Sequence, residues 1–243
     1  MASVREKKLK RKELNLWVVA QILERKKAID QLIKAASAHS DHLTDFPPFR
    51  RFHRDGLSVC LESGRGNKLS PPVKQYTQTL LKVNMEGPFG SEWAEEEKVK
   101  RREMVSPDAR YIFVHEVPNV VANECQDKGP MVGFVHYRFT LEEEIPVVYV
   151  YEIQLESRVQ GKGLGKFLMQ LIELIARKNH MGAVVLTVQK ANLSAMNFYT
   201  SKLRYTISSI SPSRVNSLAE VEKSYEILCK TFDNEAKAML EES

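Results

Sequence analysis

Apolar positions divide the chain into a helical start, a mixed middle and a strand-rich second half. Leu14, Val18, Ile22, Ile29 and Ile33, with Trp17 and Leu32 beside them, recur at helical spacing and predict one long amphipathic helix over about residues 8–38, docked by its apolar face. Phe46-Pro47-Pro48-Phe49 breaks that pattern, and Gly56 leads into a strand at Leu57 to Leu61. Past the polar turn Ser63-Gly64-Arg65-Gly66-Asn67, Pro71-Pro72 opens a helix running through Leu80, Leu81 and Met85. A second helix, Ser91 to Met104, is dominated by charge and expected on the surface. Strands follow at Tyr111 to Val117, Met131 to Thr140 and Ile145 to Leu155, the first two separated by a polar segment with Asn119, Asn123, Asp127 and Gly129. Leu164, Phe167, Leu168, Leu171, Ile172 and Ile175 form a helical stripe, and the apolar run Ala183 to Val188 predicts a strand covered on both faces. A short helix from Asn192 to Leu203, a strand from Tyr205 and a last strand at Ser224 to Thr231 complete an α/β chain without internal repeats. The expected organisation is a basic N-terminus and docked helix over 1–45, one domain over 46–232, and a charged tail over 233–243.

Composition narrows the class. At 243 residues, 43% hydrophobic and 28% charged, the chain can bury a core without staples. Cys60, Cys125 and Cys229 lie far apart with no CxxC pair, which argues against a disulfide framework and a structural zinc site and for a reducing compartment. Net charge is +5, with Arg5, Lys7, Lys8, Lys10, Arg11 and Lys12 clustered at the start, as in an import signal, a nucleic-acid contact or a solvated helix start. Leu14 to Leu23 behind that cluster resembles the apolar part of a secretory signal, but Asn15 and Gln21 interrupt it, Glu24-Arg25-Lys26-Lys27 follows, and no small-residue cleavage site appears. No apolar run is long enough to span a bilayer, so no membrane partner is expected.

Candidate chemistry centres on Gln160-Gly161-Lys162-Gly163-Leu164-Gly165, between a strand and the amphipathic helix that follows. Such a glycine pattern arises by chance in roughly one chain in four of this length. Its position adds the information, because small residues let backbone amides approach a phosphate and the following helix offers unpaired N–H groups and a positive dipole end. A tight strand-to-helix turn is the alternative. Gly161-Lys162 is followed by Gly163 and not by Ser or Thr, which excludes a Walker loop. A Rossmann site fits poorly, since the glycine spacing differs and the strand Ala183 to Val188 ends in Gln189-Lys190, not in an acidic residue.

These residues resemble the GNAT superfamily of acetyl-CoA-dependent N-acetyltransferases, whose Gln/Arg-x-x-Gly-x-Gly/Ala loop binds the coenzyme A pyrophosphate. Asn192, Ala195, Phe198 and Tyr199 repeat a second family pattern, with the asparagine implied to hold the pantetheine arm and the tyrosine to donate a proton to the leaving thiolate. Phe198 and Tyr199 also read as core aromatics on a helix, and for Phe198 that reading is preferred. Arg204 stands where the family often has glycine. Tyr149 to Ser157, reading Tyr-Val-Tyr-Glu-Ile-Gln-Leu-Glu-Ser, is similar to the matching strand of the NatD-type N-alpha-acetyltransferases. So are Gly56-Leu57, Asn84-Met85, Ser91-Glu92-Trp93, His136-Tyr137-Arg138-Phe139 and Ser224-Tyr225-Glu226-Ile227-Leu228. The resemblance implies a single GNAT-fold domain with a central mixed, twisted β-sheet flanked by helices and an N-terminal amphipathic helix. It implies acetyl-CoA as cosubstrate without a metal, the free N-termini of histones H4 and H2A as substrates, a monomer, and a location in nucleus and cytoplasm.

On that reading Glu152 takes the amine's proton directly or through water, its burial in a strand raising its pKa, with Tyr151 and Tyr199 beside it in the catalytic set. Simple pairing of Glu152 with a basic neighbour is the alternative. Ile153, Gln154, Leu155, Gln160, Gly161, Lys162, Gly163, Leu164, Gly165, Asn192 and Tyr199 are expected at the cofactor. Trp93, Glu142, Tyr149, Tyr151 and Tyr225 are expected at the substrate. Thr140 replaces an acidic residue of that lining, and Pro88-Phe89 a tyrosine in a loop one residue shorter. Strict alternation puts Tyr149, Tyr151 and Ile153 on one face and Glu152 on the other unless a bulge intervenes. An acetyltransferase for internal lysines or small amines, and a weakly active coenzyme A-binding module that touches nucleic acid, remain open on the residues alone.

Overall fold

One mixed sheet organises the chain. A computed structural model describes residues 4–117, 128–215 and 223–242, with residues 4–12 and 14 as backbone only. The strands are β1 (Arg51–Arg54), β2 (Leu57–Arg65), β3 (Arg110–Glu116), β4 (Met131–Glu142), β5 (Ile145–Leu155), β6 (Ala183–Gln189), β7 (Thr206–Ile207) and β8 (Tyr225–Thr231). They lie in the order β1-β2-β3-β4-β5-β6-β8-β7. All neighbours are antiparallel except β5 and β6. A parallel pair needs a crossover, here α4 (Leu164–Lys178). The side chains of the basic cluster from Arg5 to Lys12, and Asn119, Asn123 and Asp127, lie outside the described residues.

Each face of the sheet is covered. The stripe Leu164, Leu168, Leu171, Ile172 and Ile175 seats α4 on Val148 and Val150 of β5 and Val184 and Leu186 of β6. On the other face, α2 (Pro71–Phe89) and α3 (Trp93–Met104) bury Leu80, Leu81, Trp93 and Met104 against Tyr111, Phe113 and Phe134. Val185 and Val147 on that same face meet Ala236 and Leu240 of α7 (Asn234–Leu240). The continuous apolar run of β6 is thus covered on both sides, as its pattern predicts.

Several elements differ from their sequence pattern, among them β1 (Arg51–Arg54), which the pattern does not predict, and β2, which runs on through Ser63, Gly64 and Arg65 where the pattern predicts a turn. Residues 234–240, expected within a charged tail, form α7, because Asp233 accepts from Ala236 N–H as its cap and the helix buries Ala236 and Leu240. Helix α3, expected on the surface, buries Trp93 and Met104, with Lys100, Glu96 and Glu103 half-buried beside them. Helix α1 (Val4–Ala38) has the expected length, but among its described side chains those that dock lie in the last turns: Ala36 is buried and Ile29, Leu32 and Ile33 half-buried. Leu16, Trp17 and Leu23 are 62%, 61% and 62% exposed. Their contribution as a buried stripe therefore falls away. Removing residues 1–24 is expected to change unfolding free energy by no more than about 0.5 kcal/mol, a shift within about 2 °C in Tm; a larger fall in a thermal melt overturns the partial docking.

Candidate active site

The site is built on β5, where alternation fails. His136 and Tyr137, consecutive on β4, pair with Glu152 and Val150, so Tyr151 has no opposite residue and β5 bulges there. The extra residue resets the faces. Ile153 joins Val148 and Val150 on the α4 side, contrary to strict alternation. Glu152 and Gln154 turn toward α2 and α3, where Tyr149 already points. The Tyr151 ring stacks on His136 with centroids 4.9 Å apart and lies 5.1 Å from the Tyr149 ring. Tyr149, Tyr151 and Glu152 therefore converge.

The same stretch opens toward β6. Pairing between β5 and β6 runs from Val147 with Ala183 to Val150 with Leu186 and then stops, although both strands continue. From Tyr151 to Leu155 no strand pairs with that edge of β5 among the described residues, and Asn84 Nδ2 donates to Leu155 O at 3.2 Å. Gln160 Nε2 donates to Leu155 O at 2.9 Å and ties the following loop to the strand end.

Glu152 is 6% exposed. Its Oε1 accepts from Lys100 Nζ, and its Oε2 from Gln154 Nε2 at 2.8 Å. Gln154 Oε1 accepts in turn from Asn84 Nδ2 at 2.9 Å. The pairing with a basic neighbour that the sequence leaves open is thus present, and Lys100 is a residue the sequence reading missed. Burial pulls the Lys100 ammonium toward neutrality, but Glu152, with Glu103 and Glu96 behind it, outweighs burial and leaves its pKa raised. His136, opposite Glu152, is 1% exposed, and neither ring nitrogen has a hydrogen-bond partner among the described residues. Burial, then Arg138 and Lys100, push it well below its ordinary pKa, so it is a neutral ring held between Tyr111 and Tyr151. The Arg138 guanidinium lies 4.4 Å over the Tyr151 ring and donates from Nη2 to Glu103 O at 2.7 Å.

Tyr199 is buried on a π turn, Phe198–Lys202, that continues the short helix α5 (Leu193–Asn197). Such turns recur at functional sites. Burial and the Glu152 charge raise the pKa of its phenol, which stays protonated. Phe198, half-buried, packs edge-on to Tyr199 against the core. Asn192 caps α5, its Oδ1 accepting from Ala195 N–H at 3.1 Å, and its Nδ2 has no partner among the described residues. Arg204 adopts φ +60°, the left-handed conformation that glycine would take there.

The glycine loop fits an anionic diphosphate. Gly161 and Gly163 have φ of +73° and +85°, and Gly163 starts α4 without any side-chain cap. Among the described residues nothing accepts from the N–H groups of residues 161–166, which gather at the positive end of α4. Lys162 and Lys166 flank them, and a Cβ on Gly163 would sit 3.0 Å from Arg54 Nη1, a further cation that the sequence reading missed. Donors and charge suit the pyrophosphate of acetyl-CoA, with the β5 edge available to the rest of the molecule.

On the substrate side the row Glu142, Thr140 and Arg138 of β4 shares the face of Tyr149. Glu142 is half-buried, and burial with Glu143 raises its pKa. Tyr149 Oη lies 2.5 Å from Thr187 Oγ1, and burial lifts its pKa to about 12. Tyr225 is half-buried at the start of β8, opposite Gln189. Trp93 departs from the expectation: at 5% exposure it is a core ring 5.8 Å from Phe89, supporting this face from within. Phe89, expected in a shortened loop, is the last residue of α2, which runs through Pro88, and has Lys100 Nζ 5.4 Å over its ring. No group of three or more His, Cys, Asp or Glu that could hold a metal occurs among the described residues.

The chain matches the acetyltransferase (GNAT) family over residues 82–204, just over half its length and including β5, the glycine loop and the π turn. Similar solved structures include Naa50 of Arabidopsis thaliana in complex with a bisubstrate analogue, 17% identical over 72% of this chain and 99% of that one, with a TM-score of 0.45. NAA60 of Arabidopsis thaliana, also with a bisubstrate analogue, is 12% identical over 72% and 99%, with a TM-score of 0.47. The PaiA N-acetyltransferase of Thermoplasma acidophilum, in complex with coenzyme A, is 16% identical over 71% and 99%, with a TM-score of 0.44.

Proposed function

Because the chain belongs to the acetyltransferase (GNAT) family, whose fold binds acetyl-CoA, we propose that it acetylates free N-terminal α-amines, with the Ser-Gly-Arg-Gly termini of histones H4 and H2A as substrates. The observation that carries the reading is the bulge at Tyr151, which gathers Tyr149, Tyr151 and Glu152 beside the opening between β5 and β6. Acetyl-CoA supplies an activated acyl group and a thiolate leaving group when bound. The N–H groups of residues 161–166 hold its pyrophosphate, and main-chain groups of Ile153 to Leu155 align its acetyl end. Glu152 takes the proton that the amine loses as the new C–N bond forms, through the lone pairs that Lys100 and Gln154 leave free. The Tyr199 hydroxyl gives a proton to the sulfur as the C–S bond breaks. Tyr149 and Tyr151 wall a space suited to a small first residue, and Glu142 accepts from the peptide's arginine. The nucleus and cytoplasm are the proposed compartments, with the basic cluster from Arg5 to Lys12 as a contact for an import receptor or nucleic acid.

Mass spectrometry of peptides after incubation with acetyl-CoA tests this. A free Ser-Gly-Arg-Gly terminus is expected to be acetylated far better than an internal lysine, and a blocked terminus not at all. Changing the third residue to alanine should weaken the reaction only partly, because Thr140 removes one acidic partner. Acetyl groups on internal lysines beside an untouched free terminus would sink the α-amine reading.

A further inference from the structure

Glu152 is ion-paired with Lys100 before any amine arrives. Helix α3 contributes Lys100, bonded to Glu152 Oε1, and the half-buried Glu103, with Glu96 behind them. Strand β4 contributes Arg138 and the neutral His136, and β3 the Tyr111 phenol. Strand β5 adds Tyr149, Tyr151 and Gln154, and the π turn Tyr199, all uncharged at neutral pH. The nearest charged side chains are thus Lys100 and Arg138 and the carboxylates Glu152, Glu103 and Glu96, with Glu142 farther along the Tyr149 face. Lys100 and Glu152 have side chains only 14% and 5% exposed, so little solvent screens them.

An ammonium that reaches Glu152 finds that carboxylate already paired with Lys100, and the fixed charges of Lys100 and Arg138 oppose it. A neutral amine brings no such penalty and can accept the acetyl group at once. We infer that Lys100 is a specificity-determining positioning residue: by matching the charge of Glu152 it makes the site take amines that arrive neutral, and so α-amines in preference to lysine side chains. This rests on the α-amine reading and gives it a physical cause beyond pocket shape. At pH 7.4 an ordinary α-amine is neutral in about a quarter of molecules and a lysine ε-amine in about one in a thousand, a ratio of a few hundredfold. Replacing Lys100 by a neutral side chain leaves Glu152 as an unmatched carboxylate, a counterion that admits ammonium ions and then removes their proton.

The test compares kcat/KM against pH for a peptide with a free α-amine and a terminally blocked peptide with one internal lysine. In the wild-type enzyme the acid limb should follow the substrate amine's own titration. In Lys100→Met it should move down by about one pH unit or more, and the preference for the α-amine should narrow by about tenfold. Lys100→Arg, which keeps the charge, should restore both. A limb and a preference that Lys100→Met leaves in place overturn the inference, while a wild-type preference for the lysine overturns the α-amine reading itself. Should Lys100→Met not fold, the wild-type enzyme decides alone. An internal lysine with sulfur in place of its γ-methylene, about one unit less basic, is neutral about ten times more often; it should react about tenfold faster than lysine, and equal rates overturn the inference.

Discussion

Replacing Glu152 by Gln is expected to lower kcat by about a hundredfold or more, the usual loss when a positioned acid or base is removed. The amide keeps the shape and can still accept from Lys100 Nζ, but it cannot take a proton from the attacking amine. An interaction made only in the transition state lowers kcat and kcat/KM together, so KM for the peptide and affinity for acetyl-CoA should change little. The same substitution strands the Lys100 ammonium in a site where its side chain is only 14% exposed. Breaking such a pair costs about 3 kcal/mol, or roughly 6–12 °C in Tm for a chain of this size. The double substitution Lys100→Met with Glu152→Gln separates the two effects, because removing both charges should restore much of the stability and none of the turnover. Wild-type kcat in the well-folded double variant would remove Glu152 from the chemistry.

How much of this was legible in the sequence depended on whether a residue's surroundings were local. The glycine loop, the α4 stripe and the two-sided burial of β6 follow from short-range pattern, and each sits where that pattern puts it. The bulge at Tyr151 does not, since it is a mismatch in register with β4, and only the pairing of His136 with Glu152 reveals it. Lys100 was hidden by its neighbours. In a helix reading Trp-Ala-Glu-Glu-Glu-Lys-Val-Lys-Arg-Arg-Glu-Met, charge looks like solvent exposure, yet Trp93, Lys100 and Met104 fall on one inner stripe. A buried charge with a partner on another strand looks, in sequence, like a surface charge. Helix α1 shows the converse, because apolar residues at helical spacing need a surface to meet, and most of its length has none among the described residues. Arg204 was visible as a departure from glycine, and its φ of +60° shows that the turn kept its shape and accepted the strain.

Gly163→Trp is expected to abolish acetyl-CoA binding in a chain that still folds. Two consequences of the substitution have to be kept apart. At φ +85° any side chain strains the backbone by about 1–2 kcal/mol, which lowers Tm by roughly 2–8 °C whatever the residue. Gly163→Ala carries that cost almost alone, because its Cβ would meet only the Arg54 guanidinium, the far end of a flexible side chain, at 3.0 Å. Tryptophan adds an indole at the start of α4, in front of the N–H groups of residues 161–166, where a diphosphate must come within hydrogen-bond distance. The alanine variant should therefore show a lowered Tm with measurable acetyl-CoA affinity, and the tryptophan variant a similar Tm with no binding heat in calorimetry. Lost binding together with a lost melting transition would report only unfolding, and circular dichroism identifies that case. Retained affinity in a folded Gly163→Trp protein would mean that the amides at the start of α4 do not hold the pyrophosphate, and that these glycines serve only to turn the chain from β5 into its crossover helix.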